Sequence, residues 1–156
     1  MARISTEPSP LKKQKNPFRA LVQLFLQAND LANQDEFDDS DPFCTVYKRH
    51  SQTDPWQEIG KTETIDNNLN PRWVKHFQVD FCFHQNTWLK FEVYDEDQVR
   101  HELIGIAEIT LAQILTAHKW TLDTILVRKG HRMGTLTVTG DMVNASNDEV
   151  SFQVNG

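Results

Sequence analysis

Residues 20–28 alternate. Val22, Leu24, Leu26 and Ala28 form one wholly apolar set, while Leu21, Gln23, Phe25 and Gln27 form a mixed one. A period of two places alternate side chains on opposite faces, so the stretch is predicted as the first strand with the even-numbered residues inward. Strand character returns over residues 43–47, 56–62 and 73–83, the last with Phe77, Val79, Phe81 and Phe83 on one face. It returns again over 88–94, with Leu89, Phe91 and Val93 on one face, and over 103–109, 120–127 and 135–138. Residues 111–115 hold at most one or two helical turns. Eight short strands separated by turn signals predict an all-β fold, an eight-stranded antiparallel β-sandwich.

The polar intervals are unequal. Residues 50–55 and 66–71 carry turn chemistry, and Gly130 and Gly134 bracket the turn before the last strand. Residues 29–41 form a long loop with six acids (Asp30, Asp35, Glu36, Asp38, Asp39, Asp41), a lone Phe37 and a closing Pro42. The run Val93-Tyr94-Asp95-Glu96-Asp97 ends a strand in three acids, and Glu102 follows before Leu103-Ile104-Gly105. Residues 1–19 carry three prolines and the basic run Lys12-Lys13-Gln14-Lys15 without periodicity, and are expected to be a disordered lead. The folded domain is expected over 20–140, with 141–156 a linker in which 149–154 alternates again.

Composition narrows the classes. A net charge of −6 over 156 residues argues against a general nucleic-acid binder, which would carry a basic stripe. Cys44 and Cys82 have no paired spacing and read as reduced strand cysteines. No stretch reaches the ~20 apolar residues of a membrane span, and no signal-peptide core stands at the start, so a cytoplasmic protein is expected. There is no nucleophile elbow, no Gly-rich phosphate loop before a helix and no zinc-type Cys/His pair. A binding module is therefore expected rather than an enzyme.

Loops of a sandwich gather at its two ends. If the two acidic loops share an end, their carboxylates meet. Two carboxylates ~4 Å apart repel by about 4 kcal/mol at a surface-like dielectric, which a cation would relieve. Many hard oxygen donors suit Ca²⁺ better than Zn²⁺ or Mg²⁺. Asp95 and Asp97 occupy alternate positions and point the same way.

Ser40-Asp41-Pro42-Phe43 after an acidic loop, Asn68-Leu69-Asn70-Pro71-Arg72-Trp73, and Val93 to Asp97 with Leu103-Ile104-Gly105 resemble three signatures of the C2 domain, in that family's order. Within the family the chain is most similar to the first C2 domain of copines. Supporting that are Cys44 after Asp-Pro-Phe, Trp56 with Glu58-Ile59-Gly60-Lys61-Thr62-Glu63, and Gly134-Thr135-Leu136-Thr137-Val138. The resemblance implies a type II circular permutation, and a second C2 domain that begins near residue 149.

It also implies a ligand set: Asp35 and Asp41 from the first loop, and Asp95, Asp97 and Glu102 from the third. Glu96 contributes its main-chain carbonyl, its side chain pointing away. The third loop is one residue shorter than in well-known calcium-binding members, Glu stands where Asp is usual, and Arg100 replaces a hydroxyl. Two Ca²⁺ ions are therefore expected.

The resulting function is calcium-dependent binding to anionic, phosphatidylserine-class membranes, drawing a cytoplasmic protein to the inner face of the plasma membrane or to other membranes. Phe37 and Val99 are the expected membrane-inserting residues, and Lys48, Arg49 and Lys61 the expected headgroup contacts. The alternative is a calcium-independent C2 domain that binds protein targets.

Overall fold

The computed structural model describes residues 19–33 and 39–143. The expectations for Asp35, Phe37, the lead up to residue 18 and residues 149–154 lie outside them. Eight strands follow in order: β1 (Arg19–Asn29), β2 (Pro42–Arg49), β3 (Gln57–Lys61), β4 (Phe77–Cys82), β5 (Trp88–Asp95), β6 (Glu102–Thr110), β7 (Thr121–Arg128) and β8 (His131–Met142). Between β6 and β7 lie a short helix, α1 (Leu111–Leu115), and a 3₁₀ turn (His118–Trp120).

All pairings are antiparallel, in the order β3-β2-β5-β6-β7-β8-β1-β4. The β6–β7 step is joined by one pair, Ile106 with Val127. There the sheet folds over into two four-stranded layers. The first connection, from β1 to β2, is the acidic loop, and the last strand, β8, lies beside β1; this is the permuted strand arrangement expected.

The core follows the alternation. Val22 (0%), Leu24 (0%), Leu26 (3%) and Ala28 (1%) of β1 are buried against Cys44, Val46, Phe91, Val93 and Leu136 from both layers. Burying a large apolar side chain stabilises by about 1.5–3 kcal/mol. Phe91, fully buried, is therefore a position where truncation to Ala costs about 3–5 kcal/mol. Cys44 and Cys82 lie within strands as free thiols. α1 caps the end of the sandwich far from the acidic loops. Thr110 Oγ1 accepts the Gln113 N–H (3.2 Å) and the Thr110 N–H donates to Gln113 Oε1 (2.8 Å), a reciprocal cap.

Several boundaries differ from the sequence reading: β1 already begins at Arg19 and β8 runs on to Met142, which pairs with Val22, so the folded part extends past residue 140. β4 begins at Phe77, not at residue 73, because Gln27 bridges Arg72 while Leu24 pairs with Phe77. Between those two pairs four residues (73–76) stand opposite two (Phe25 and Leu26) on β1, and the surplus bulges outward with Val74 exposed. The face expected to end at Phe83 ends earlier, since Phe83 is 70% exposed. β8 starts at His131, so the final turn is two residues, Lys129 (φ 52°) and Gly130 (φ 79°). Positive φ at both central residues is the type I′ geometry that matches strand twist. Gly134 (φ 135°) is instead a contact point: a side chain there would meet the Asp30 carbonyl at 3.1 Å.

Candidate metal site

β1, β3 and β5 all run toward the same end of the sandwich, so the connections 30–41, 62–76 and 96–101 meet there. The middle connection braces the first. Leu31 N–H donates to the Leu69 carbonyl (3.0 Å), Asn68 N–H to the Ser40 carbonyl (3.0 Å) and Asp30 N–H to Asn70 Oδ1 (2.8 Å). Trp73 is buried behind this brace, and its indole N–H donates to the Pro42 carbonyl (3.2 Å).

Asp95, at the tip of β5, is only 9% exposed. Its Oδ1 accepts the Asp41 N–H at 2.9 Å. Burial pushes its carboxyl above the ordinary aspartate range. The Asp41 and Glu102 charges push the same way, and the Asp41 N–H and the Ser40 side chain oppose them. Asp41 is held in turn: its Oδ1 accepts the Asn67 N–H (2.7 Å) and its carbonyl accepts the Glu96 N–H (2.9 Å). Glu102 stands directly across from Asp95 in the β5–β6 register, which places the two side chains on one face.

The structure thus brings Asp41 and Glu102 within electrostatic reach of Asp95. Asp97 is exposed one step further out, with Oδ1 accepting the Val99 N–H (3.2 Å). The Glu96 side chain turns toward the middle connection and accepts from the Thr64 hydroxyl. Among the described residues, no three His, Cys, Asp or Glu side chains converge tightly enough to hold a metal ion as they stand. Asp41 and Asp95 each direct one oxygen onto a backbone amide. The donor chemistry still fits a hard cation, because these are carboxylates crowded at a partly buried end, each with a second oxygen.

Val99 is 88% exposed at this end. The basic residues do not form one patch. Lys48 and Arg49 close β2 at the opposite end from the acidic loops, and as neighbours in a strand they face opposite sides. Lys48 lines a cleft of about 270 Å³ with Arg19, His50 and Cys82. Arg49 sits 4.1 Å over the Trp56 ring. Lys61 lies at the loop end, 5.6 Å from the Phe43 ring centroid, and His101 packs edge-on against that same ring at 5.0 Å.

Sequence reasoning missed the residues that position the acids: Ser40, Thr64 and Asn67. The signal available was Asp66-Asn67-Asn68, since Asn tolerates the left-handed conformation that Asn67 adopts (φ 47°). It also missed Glu63, whose carboxylate accepts the Val74 (2.6 Å) and Lys75 (3.1 Å) amides and so pins the middle connection.

Comparison with known proteins agrees with this architecture. Copine-A of Dictyostelium discoideum is 30% identical over 141 residues, covering 90% of this chain and 23% of that protein. Nicotinic receptor-associated protein 1 of Caenorhabditis elegans is 33% identical over 117 residues, covering 61% of this chain and 18% of that protein. The chain thus spans about a quarter or less of the length of these relatives. The C2A domain of a plant Extended Synaptotagmin 1 has the same fold, with a TM-score of 0.63 at 24% identity over 83% of this chain and 99% of that one. The calcium-bound C2A and C2B domains of Extended-Synaptotagmin 2 superpose with a TM-score of 0.58 at 22% identity, over 86% of this chain and 51% of that one. With the C2 domain family model matching residues 20–124, the chain belongs to the C2 domain family.

Proposed function

We propose that this domain is a calcium-dependent module for anionic phospholipid membranes, and not an enzyme. The observation that supports the reading is the crowding of Asp41, Asp95 and Glu102 at one end of the sandwich, with Asp95 pushed toward its protonated form by burial and by its neighbours. Asp41, Asp95, Asp97 and Glu102, with Asp35 and the Glu96 carbonyl, are the groups that would hold Ca²⁺, as two ions. Bound there, calcium supplies positive charge that reverses the local potential and offers coordination positions to lipid phosphate or carboxylate oxygens.

The chain's own residues do the rest. The Asp41–Asp95 and Asn67–Asp41 hydrogen bonds keep the inner carboxylates in place before any ion arrives. The first and third connections are thus joined through a braced inner half. Val99 presents apolar surface to the bilayer, Phe37 is the second residue the sequence assigns to insertion, and Lys61 flanks the site on β3. A cytoplasmic protein carrying this domain would move to phosphatidylserine-rich membranes when calcium rises.

A second reading, a calcium-independent C2 domain that binds protein targets, is favoured by the carboxylates that already point at amides. The name of the nicotinic receptor-associated relative also suggests protein partners at a membrane. Sedimentation with phosphatidylserine vesicles, with calcium or with EGTA, separates the two. Binding in calcium alone supports the first reading. Equal binding in EGTA, or no heat of calcium binding at millimolar metal, refutes it.

A further inference from the structure

The turn between β7 and β8 is a separate feature of the same end. Its sequence is Arg128-Lys129-Gly130-His131-Arg132, with no acid among these five residues. The two-residue type I′ turn fixes its shape, and Lys129, His131 and Arg132 are exposed. Arg128 is committed to structure, donating to the Leu103 carbonyl at 3.0 Å. None of the ion pairs among the described residues involves Lys129 or Arg132.

Its position is set by register. Thr135 pairs with Asn29, the last residue of β1. Residues 131–134 therefore run on past the end of β1, by about 13 Å at strand rise. Met133 O accepts the Ala32 N–H (2.9 Å), and Gly134 lies against Asp30 and Leu31, so one side of the hairpin is fastened to the start of the acidic loop. The other side is fastened to β6 by Arg128 and by the Ile106–Val127 pair. Counted from that pair, Glu102 lies level with the turn. The basic tip thus reaches the height of the Asp95–Glu102 carboxylates, between the first and third loops.

We propose that this hairpin tip is an anionic-membrane contact, with Lys129 and Arg132 as its charge-bearing residues and His131 beside them. It is a tight turn hydrogen-bonded on both sides, so docking orders no new backbone. It carries a standing positive charge, so its attraction to lipid headgroups needs no metal. The occupant is a lipid surface rather than an acidic peptide: the tip is a protruding two-residue turn, and it shares its end of the sandwich with the 88% exposed Val99. It gives the domain a fixed orientation, with the carboxylate loops already facing the bilayer when calcium arrives. This inference deepens the membrane-binding reading and rests on it.

The test is vesicle binding by the full chain, in calcium and in EGTA, with Lys129→Gln/Arg132→Gln compared to Lys129→Arg/Arg132→Lys. Each charge removed should weaken binding to phosphatidylserine vesicles about fivefold at physiological salt. The charge-conserving pair should bind like the parent. Calcium-induced thermal stabilisation should be the same in all three, because none of these residues is a proposed ligand. If the parent binds in calcium and the Gln pair binds equally well, the tip is overturned and the calcium reading stands. If the parent binds equally in EGTA and the Gln pair is weakened, the tip stands and the calcium reading fails. Release by millimolar inorganic phosphate at constant ionic strength would assign a discrete phosphate site and overturn the surface contact. A parent that binds in neither condition overturns both.

Discussion

The backbone N–H of Asp41 donates to Asp95 Oδ1 across 2.9 Å, joining the first and third connections through one hydrogen bond between residues 54 apart in sequence. That bond separates two roles a carboxylate plays here, acceptor and charge. Asp95→Asn keeps an acceptor oxygen and removes the charge. Without metal it should leave the fold intact and stabilise the domain slightly, by about 1 kcal/mol or less, because the crowding with Asp41 and Glu102 is relieved. In calcium it should abolish both the rise in melting temperature and vesicle binding, since a ligand raises stability only by binding the native state. Asp95→Ala should destabilise by about 1–3 kcal/mol, because the Asp41 amide loses its acceptor. Thermal melts of the two variants, with and without calcium, check the distinction.

The middle connection is predicted to control the affinity of a site to which it gives no ligand. Asn67 holds Asp41 Oδ1 through its backbone N–H at 2.7 Å and sits at φ 47°. Asn67→Gly retains the amide and accepts the conformation, so stability and calcium response should change little. Asn67→Pro removes the amide and cannot take that φ. A loss of about 2–3 kcal/mol and a weaker calcium response are expected. Calcium titrations of the two variants measure the difference.

How much of this was legible before folding depended on whether side chains or backbone carried the information. The parity of Val22, Leu24, Leu26 and Ala28 was plain, because each burial leaves its own residue type in the chain. Residue types likewise mark Asp41, Asp95 and Glu102 as a related set. The bonds that position them were not legible, because the donors are backbone amides of Asp41 and Asn67, and every residue except proline has one. Trp73 misled for a different reason. An aromatic ahead of Phe77 and Val79 looks like a strand start, yet its indole is spent on the Pro42 carbonyl and its neighbour Val74 bulges out. The tip of β8 was missed because charged exposed residues extend a hairpin without any apolar alternation.

Glu63 gives the protein an acid-sensitive brace. Burial raises its carboxyl, but the Val74 and Lys75 amides, its own amide and the Lys75 charge outweigh that and lower it below 4.5. A carboxylate depressed in the folded state adds stability above its unfolded pKa and loses it as pH falls through the folded value. Melting temperature should therefore drop below about pH 4.5, and Glu63→Gln should flatten that part of the profile. At neutral pH the substitution should cost about 1 kcal/mol, after allowing for solvent around an exposed side chain. A Glu63→Gln profile that parallels the parent would show that other acids set the transition.

Val99 tests membrane insertion apart from metal binding. Its side chain is 88% exposed on the connection that carries Asp97, whose Oδ1 accepts the Val99 N–H at 3.2 Å. Only the backbone of Val99 takes part in that turn, so its side chain can be changed without disturbing the acid. Burying a valine in a bilayer contributes about 1.5 kcal/mol, roughly a tenfold gain in affinity. Val99→Asp should lose that and add repulsion from anionic headgroups, while Val99→Trp should bind more tightly and place an indole at the interface. With Val99→Trp, a calcium-dependent blue shift of tryptophan emission on vesicles would report insertion directly. The melting temperature should stay within about 1 °C of the parent in both variants, as expected for a side chain left 88% exposed. If Val99→Asp binds vesicles as well as the parent in calcium, the third connection meets only headgroups, and insertion is removed from the mechanism while the metal site is untouched.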